Sequence, residues 1–389
     1  MHTGRIVFSQ LLDFFPRRDF NACVHRYRGN YRTRGFSCLD QFLSMAFAQL
    51  TARRSLRDIE TCLGAMNPKL YHAGFRSNVS RSTLADANER RNWRIYADFA
   101  QTLIARARLL YAHEPFGVDL DQTAYVLDST IIELCLSLFP WARHKSDQAA
   151  VKLHTLLDLR GSIPCSVRVS DAKMHDAHFL DELALEPGAF YIMDRGYVSF
   201  DRLYRLSQNL AYFVIRSRDK LVHRTLSRQG VDRSTGLRSD HTIRLSGYQT
   251  KDRYPAPLRR VCFFDAQNRR RFVFLTNHAT LSALTVAHLY KCRWAVELFF
   301  KWIKQHLRIE AFFGTSPNAV KTQVWIAISV YVLVAIVKKE LKIQRTLSQI
   351  LQILNICLFE QVPLQQVLTT TEPQMPGSHC RNSLPLFNI

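Results

Sequence analysis

The run 324–337 is fourteen residues long and apolar throughout except for Ser329. A helix needs ~20 such residues to cross a bilayer, so this run is too short for a span and asks to be buried in a protein core. A helix over 318–341 is expected to contain it. The chain has 389 residues, enough for two or three domains with a sizeable interior. Hydrophobic residues make up 47% of it, which excludes a disordered protein.

Lys and Arg number 53 against 32 Asp and Glu, a formal charge of +21. A surplus that large favours a polyanion, either nucleic acid or an acidic membrane surface. Arg5, Asp13, Arg17 and Arg18 interrupt any N-terminal apolar run, so no signal peptide is expected. Nucleic acid, met in the cytoplasm and without a membrane, is the reading taken. The charge is uneven: residues 1–100 carry a net +8 and residues 216–276 a net +10. The nine cysteines form no C-x-x-C pair, which argues against a disulfide framework or zinc site and for reduced thiols.

Residues 1–75 read as mostly helical, with a helix over 40–50 and another over 56–63 that Ser55 caps and Gly64 stops. Ser80 caps a further helix, 80–91, that carries Arg81; the pair of short helices is either a DNA-reading helix-turn-helix or a plain packing hairpin. An amphipathic helix follows over 93–110. The middle of the chain changes to strands, at 124–128, 131–136, 151–159 and 165–170. Arg160-Gly161-Ser162 makes a hairpin between the last two. A short helix at 178–184, a strand at 190–194, a helix at 200–207 and a strand at 212–216 complete an α/β pattern. Residues 217–276 form a basic β-rich insertion with short strands at 242–245, 259–264 and 271–275. One long helix is expected over 282–306, and a last amphipathic one over 345–358.

Three acidic residues stand where a site is expected. Asp128 ends a strand in LDST, and Asp194 ends another in MDRGY, where Gly196 permits a tight turn. Groups at the carboxyl ends of strands face the ligand crevice of open α/β sheets. Tyr290, Arg293, Glu297 and Lys304 follow Y-x2-R-x3-E-x6-K and fall within about 60° of one another on a continuous helical wheel. Lys301 and Arg308 lie on or beside that face, and Cys292, Val296, Phe299, Phe300 and Ile303 lie opposite, suited to a core. The plain alternative is a solvated face with a Glu297–Lys301 pair. One helix-borne carboxylate facing two strand-borne ones could hold two divalent cations ~4 Å apart at a phosphodiester, and hard oxygen donors favour Mg²⁺ or Mn²⁺. Asp121, Asp158, Asp171 and Asp176 compete for the role; Asp171 and Asp176 are expected to be solvent-exposed, and His154 to be packed or outward rather than a ligand.

The runs LDST, MDRGY and YKCRWAVELFFKWIKQHL resemble the three blocks of bacterial DDE transposases with the YREK signature, the insertion sequence four family. FSQLLDFFPRRDF, SLRDIETCL and SRSTLADANERRNW resemble their leading domain. The likeness covers residues 4–345. It implies an RNase H-like catalytic core with a mixed β-sheet, a β-rich insertion between the second Asp and the Glu, and a helical N-terminal DNA-binding domain. It implies Asp128, Asp194 and Glu297 as catalytic ligands of two Mg²⁺ or Mn²⁺ ions, with Tyr290, Arg293 and Lys304 contacting DNA near the cut. Lys301, Arg308, Arg269, Arg270, Arg271 and Arg81 are further candidate DNA contacts. The partners expected are double-stranded DNA, as terminal inverted repeats and target, and a second copy in a homodimer that pairs two ends. Excision through a hairpin would need an aromatic on a displaced base; the insertion has no Trp, which leaves Tyr248, Tyr254 or a nearby Phe. The domains expected are an N-terminal one over 1–115, core segments over 116–216 and 277–368 around the insertion, and a disordered tail over 369–389. The rival activities are a nuclease on the same fold and a non-catalytic DNA-binding derivative.

Overall fold

The structure, a computed structural model, describes residues 4–218, 220–306 and 312–369. In chain order, its helices begin with α1 (Val7–Leu11), α2 (Arg17–Arg26), α3 (Cys38–Leu50), α4 (Leu56–Ala65), α5 (Asn67–Leu70), α6 (Arg81–Arg90) and α7 (Arg94–Tyr111). Strands β1 (Ala124–Leu134), β2 (Ala149–Asp158), β3 (Ile163–Asp171) and β4 (Phe190–Met193) follow, then α8 (Phe200–Gln208) and β5 (Tyr212–Arg216). Next come β6 (His223–Gln229), β7 (Leu237–Leu245), β8 (Leu258–Asp265) and β9 (Arg270–Thr276). The chain closes with α9 (Ala283–Lys291), α10 (Trp294–His306), α11 (Pro317–Glu340), α12 (Leu347–Cys357) and α13 (Leu364–Thr369). It divides into two compact units, one of residues up to Ala184 with Cys292–Leu368, the other Leu185–Lys291.

The first unit is built on the apolar run. α11 is buried at every position from Val324 to Val337, and α3, α6, α7 and α12 pack on it. Ser316 starts it, its hydroxyl accepting from the Ala319 amide at 3.1 Å. α11 is long and apolar enough to cross a membrane, yet 94% of its most apolar window is buried inside the protein. A second cluster joins α2, α3 and α7 through Phe15, Phe20, Phe42 and Phe99, whose rings stand 4.7–5.7 Å apart. Ser37 closes a capping box with Asp40, and Ser55 and Ser80 cap α4 and α6 as their spacing predicts. α4 runs one residue beyond Gly64, which does not stop it.

β1, β2 and β3 form an antiparallel meander in this unit, with Gly161 and Ser162 at φ of 74° and 54° in the turn between β2 and β3. The two strands expected over 124–136 are one. Its ladder with β2 is unbroken from Tyr125↔Asp158 to Leu134↔Ala149 because Ser129 and Thr130 stay extended. The helix expected at 178–184 is instead a 3₁₀ turn, Asp176–Asp181, tied by the His175 ring accepting from the Ala177 amide.

In the second unit β4 and β5 pair in parallel across α8, and β9, β8, β7 and β6 continue antiparallel from β5. β6 escapes notice in the sequence because it is an edge strand whose one large apolar residue, Leu226, is exposed. The insertion has a polar heart: Arg259 and Asp240 are both buried and make a two-pronged pair at 2.9 and 2.5 Å. The long helix expected over 282–306 is two. α9 and α10 are separated at Cys292 and Arg293 by a turn closed by Ala295 N–H to Cys292 O and Val296 N–H to Arg293 O, and the two helices belong to different units. No Gly or Pro marks the break. A meander followed by a parallel β–α–β unit, with four antiparallel strands inserted before the closing helices, is a mixed α/β, RNase H-like core behind a helical N-terminus.

Candidate active site

Asp128 sits mid-strand on β1, opposite Thr155 of β2, and its carboxylate accepts from the Ser129 amide at 2.8 Å. α10 packs on β1 and brings Glu297. Arg293, in the turn before α10, joins the two. Its guanidinium donates to Asp128 Oδ2 at 2.6 Å and to Glu297 Oε1 one helical turn on. The three side chains are mostly buried, with 20% of Arg293, 18% of Asp128 and 33% of Glu297 exposed. Glu297 thus pairs backward with Arg293, not forward with Lys301. Asp128 and Glu297 line a cleft of about 490 Å³ with Ser129, Thr130, Phe300, Lys301 and Lys304. Behind it Val296, Phe299 and Ile303 are buried as their helical spacing requires.

The two carboxylates turn hard oxygen donors to a cleft that Lys301 and Lys304 also line. That donor set suits a divalent cation. Among the described residues no three His, Cys, Asp or Glu side chains gather as a ready-made cluster.

In the second unit Asp194 follows β4 and opens the 3₁₀ turn Arg195–Tyr197. The Tyr290 hydroxyl donates to Asp194 Oδ1 at 3.1 Å, while the Tyr290 ring packs 4.7 Å from that of Phe274. Tyr290 lies in the last turn of α9 and is nearly buried, and because the helix breaks after Lys291 it does not share a continuous helical face with Glu297 and Lys304.

The other candidates are scattered. Arg269, at φ 50°, ends the turn between β8 and β9, and the exposed Arg270 and Arg271 open β9 opposite Asp265 and Phe264, with Arg271 Nε 3.0 Å from the Cys262 sulfur. Arg81 is the exposed first residue of α6, its amide held by Glu60. Arg308 lies outside the described residues. Tyr248 is 89% exposed, whereas Tyr254 is buried, bonded to Ser207 and packed on Tyr204, and drops out as a base-stacking ring.

One cluster is not evident from the residue pattern. Asp176, expected in solvent, accepts from Ser129 Oγ at 2.6 Å and pairs with Lys152 at 3.2 Å. His154 is fully buried beside it, bonded to Ser170, and burial pushes its pKa down to about 4 against the pull of Asp176. The signal that could have found it is Lys152 and His154 two apart on a mostly apolar strand, hence on one face.

A profile described as "Transposase DDE domain" matches residues 119–333, and one for a domain of unknown function matches residues 3–76. The chain is 30% identical over 302 residues to a putative transposase of Sinorhizobium fredii, covering 77% of this chain and 82% of that one. It is 33% identical over 225 residues to a probable transposase for insertion sequence element IS5377 of Geobacillus stearothermophilus, covering 57% and 59%. A piggyBac transposase synaptic complex with hairpin DNA aligns over 95% of this chain and 84% of its own at a TM-score of 0.43 and 9% identity, too distant to argue from. The chain belongs to the DDE transposase family and is an insertion-sequence transposase, a divalent-metal-dependent enzyme that cleaves and transfers DNA strands.

Proposed function

We propose that Asp128, Asp194 and Glu297 are the catalytic carboxylates and ligate two Mg²⁺ or Mn²⁺ ions. The enzyme binds the terminal inverted repeats of its element as a homodimer, cuts at the ends, and joins the freed 3′-hydroxyls to target DNA by a cut-and-paste route in the cytoplasm. What supports this most is the pair Asp128 and Glu297, drawn from a strand and a helix, that share Arg293 beside a cleft lined by Lys301 and Lys304. When bound, the metal supplies activation of the attacking oxygen and charge stabilisation of the leaving one.

The chain's own residues do the rest. The carboxylates hold the cation. Lys301 and Lys304 offer compact charges for the phosphates on either side of the reacting bond, and Arg293 offers a planar fork to a phosphate once it is released from the carboxylates. Tyr290 fixes the orientation of Asp194. Asp128→Asn, Asp194→Asn and Glu297→Gln should each abolish cleavage of end DNA in Mg²⁺ while binding of that DNA stays near normal. Cutting retained by any one variant removes that residue from the set. A labelled 3′-hydroxyl end that is hydrolysed but never joined to a target would make the enzyme a nuclease instead.

A further inference from the structure

The loop between α2 and α3 carries charge that the fold does not use. Between Asp19 and Asp40 the chain has no acidic residue, yet it has Arg26, Arg28, Arg32 and Arg34. Arg26 is taken by Asp98, which Tyr27 also donates to at 2.9 Å. Arg28, Arg32 and Arg34 are exposed and make no ion pair among the described residues.

The loop beneath them is firmly pinned. The Gly29 amide donates to Val24 O at 2.8 Å, and a Cβ at Gly29 would meet Ile95 at 2.5 Å and Cys38 at 2.7 Å. The Asn30 side chain accepts from the Cys38 amide at 2.8 Å. Arg91 donates to Phe36 O and Ser37 O and lies over the Phe36 ring. Arg28 and Arg32 hold φ of 51° and 55°. A left-handed backbone costs a side-chain-bearing residue roughly 1 kcal/mol that glycine would not incur. Arginine at both positions is a strained choice, and strain of this kind collects where a side chain is needed for function. Arg28, Arg32 and Arg34 border, with Tyr31, a cleft of about 520 Å³ that Arg90 of α6, paired with Asp86, also lines.

We propose that this loop is a contact for the phosphate backbone of duplex DNA, separate from the cleavage chemistry and indifferent to base sequence. Three guanidinium forks outside any ion pair, on a rigid frame, match phosphate oxygens. A short loop is not the helix or two-stranded ribbon that fills a major groove and reads bases. The inference rests on the reading of the chain as an enzyme that binds transposon ends.

The test uses the full chain carrying Arg28→Gln, Arg32→Gln and Arg34→Gln together. Fluorescence anisotropy follows its binding to a labelled end duplex and to a scrambled duplex of equal length, over about 50–300 mM NaCl. The slope of log K against log salt should shallow by about 2 to 3, and affinity at about 100 mM should fall roughly 100-fold, equally for both duplexes. Arg34→Gln alone, safe for the fold, should shallow the slope by about 1. Unchanged slopes overturn the proposal, as does a loss confined to the end sequence or wild-type binding that prefers an RNA duplex. The catalytic reading is tested separately, by end cleavage with Glu297→Gln; if that variant still cut DNA, the catalytic reading would fail while the loop contact stood.

Discussion

Arg293 is where structure adds most to the residue pattern. Its guanidinium pairs with both Asp128 and Glu297, so a cation held by those carboxylates, as proposed, would compete with it for the same oxygens. Arg293→Gln should therefore tighten Mg²⁺ or Mn²⁺ binding without DNA, by roughly tenfold if removing that competition is worth about 1.4 kcal/mol, and still lower end cleavage because the phosphate fork is gone. Calorimetry reads the first effect; unchanged or weaker metal affinity would mean that Arg293 does not hold the site. His154 gives a second residue-scale test. It is buried neutral, with a pKa of about 4 against an ordinary 6.5. Between those values the unfolded chain takes up a proton that the folded chain refuses, so stability should fall as pH drops from about 6.5 to 4, by up to ~3 kcal/mol. His154→Gln should flatten that part of the pH profile in urea unfolding, and an unaltered profile would assign the loss to other groups.

Among the elements, the turn from β2 to β3 is the tightest joint. Gly161 is at φ 74°, and a Cβ there would stand 2.3 Å from the Tyr111 ring of α7. Tyr111 is itself anchored to Ala335 O of α11 at 2.9 Å, so the ring cannot easily give way. Gly161→Ala should cost about 2 kcal/mol or more, from the left-handed backbone and the overlap together. A loss below about 0.5 kcal/mol in denaturant melts would show that the turn slides off the ring. That hairpin was legible because Gly161 and its neighbours announce a turn between two apolar runs. The caps at Ser55 and Ser80 and the burial of α11 were legible for the same local reasons. The break between α9 and α10 was not, since Lys291, Cys292 and Arg293 are ordinary helix residues and only tertiary context ends the helix there. The break changes how the signature works: its spacing identified Tyr290, Arg293, Glu297 and Lys304, but Tyr290 serves Asp194 while Arg293 and Glu297 serve Asp128. The network of Asp176, Lys152 and His154 was hidden because Asp176 reaches it from a distant stretch of chain.

At the scale of the whole molecule, the +21 charge is carried largely by two stretches, and sequence counts overstate how much of it faces DNA. Arg259 is the clearest case: it is buried against Asp240, holds Ala279 O and Leu281 O, and belongs to the fold of the insertion. Arg269, Arg270 and Arg271 are different. They are consecutive and exposed where the β8–β9 turn runs into β9, and Arg269 holds a left-handed φ of 50° that glycine would adopt more cheaply. Reversing all three to Glu should weaken end binding and shallow its salt dependence by about 2 to 3 in log–log slope, since a phosphate that no longer meets a guanidinium keeps its condensed counterion. The effect should match in size that of the arginines between α2 and α3 if both stretches grip backbone, and combining the two sets should add their slope changes. Arg259→Gln, by contrast, should lower thermal stability first, because it leaves Asp240 buried and unpaired. A triple reversal that binds with the wild-type slope would mean that the excess charge of the insertion keeps the protein soluble or meets another partner, and that end DNA is held elsewhere.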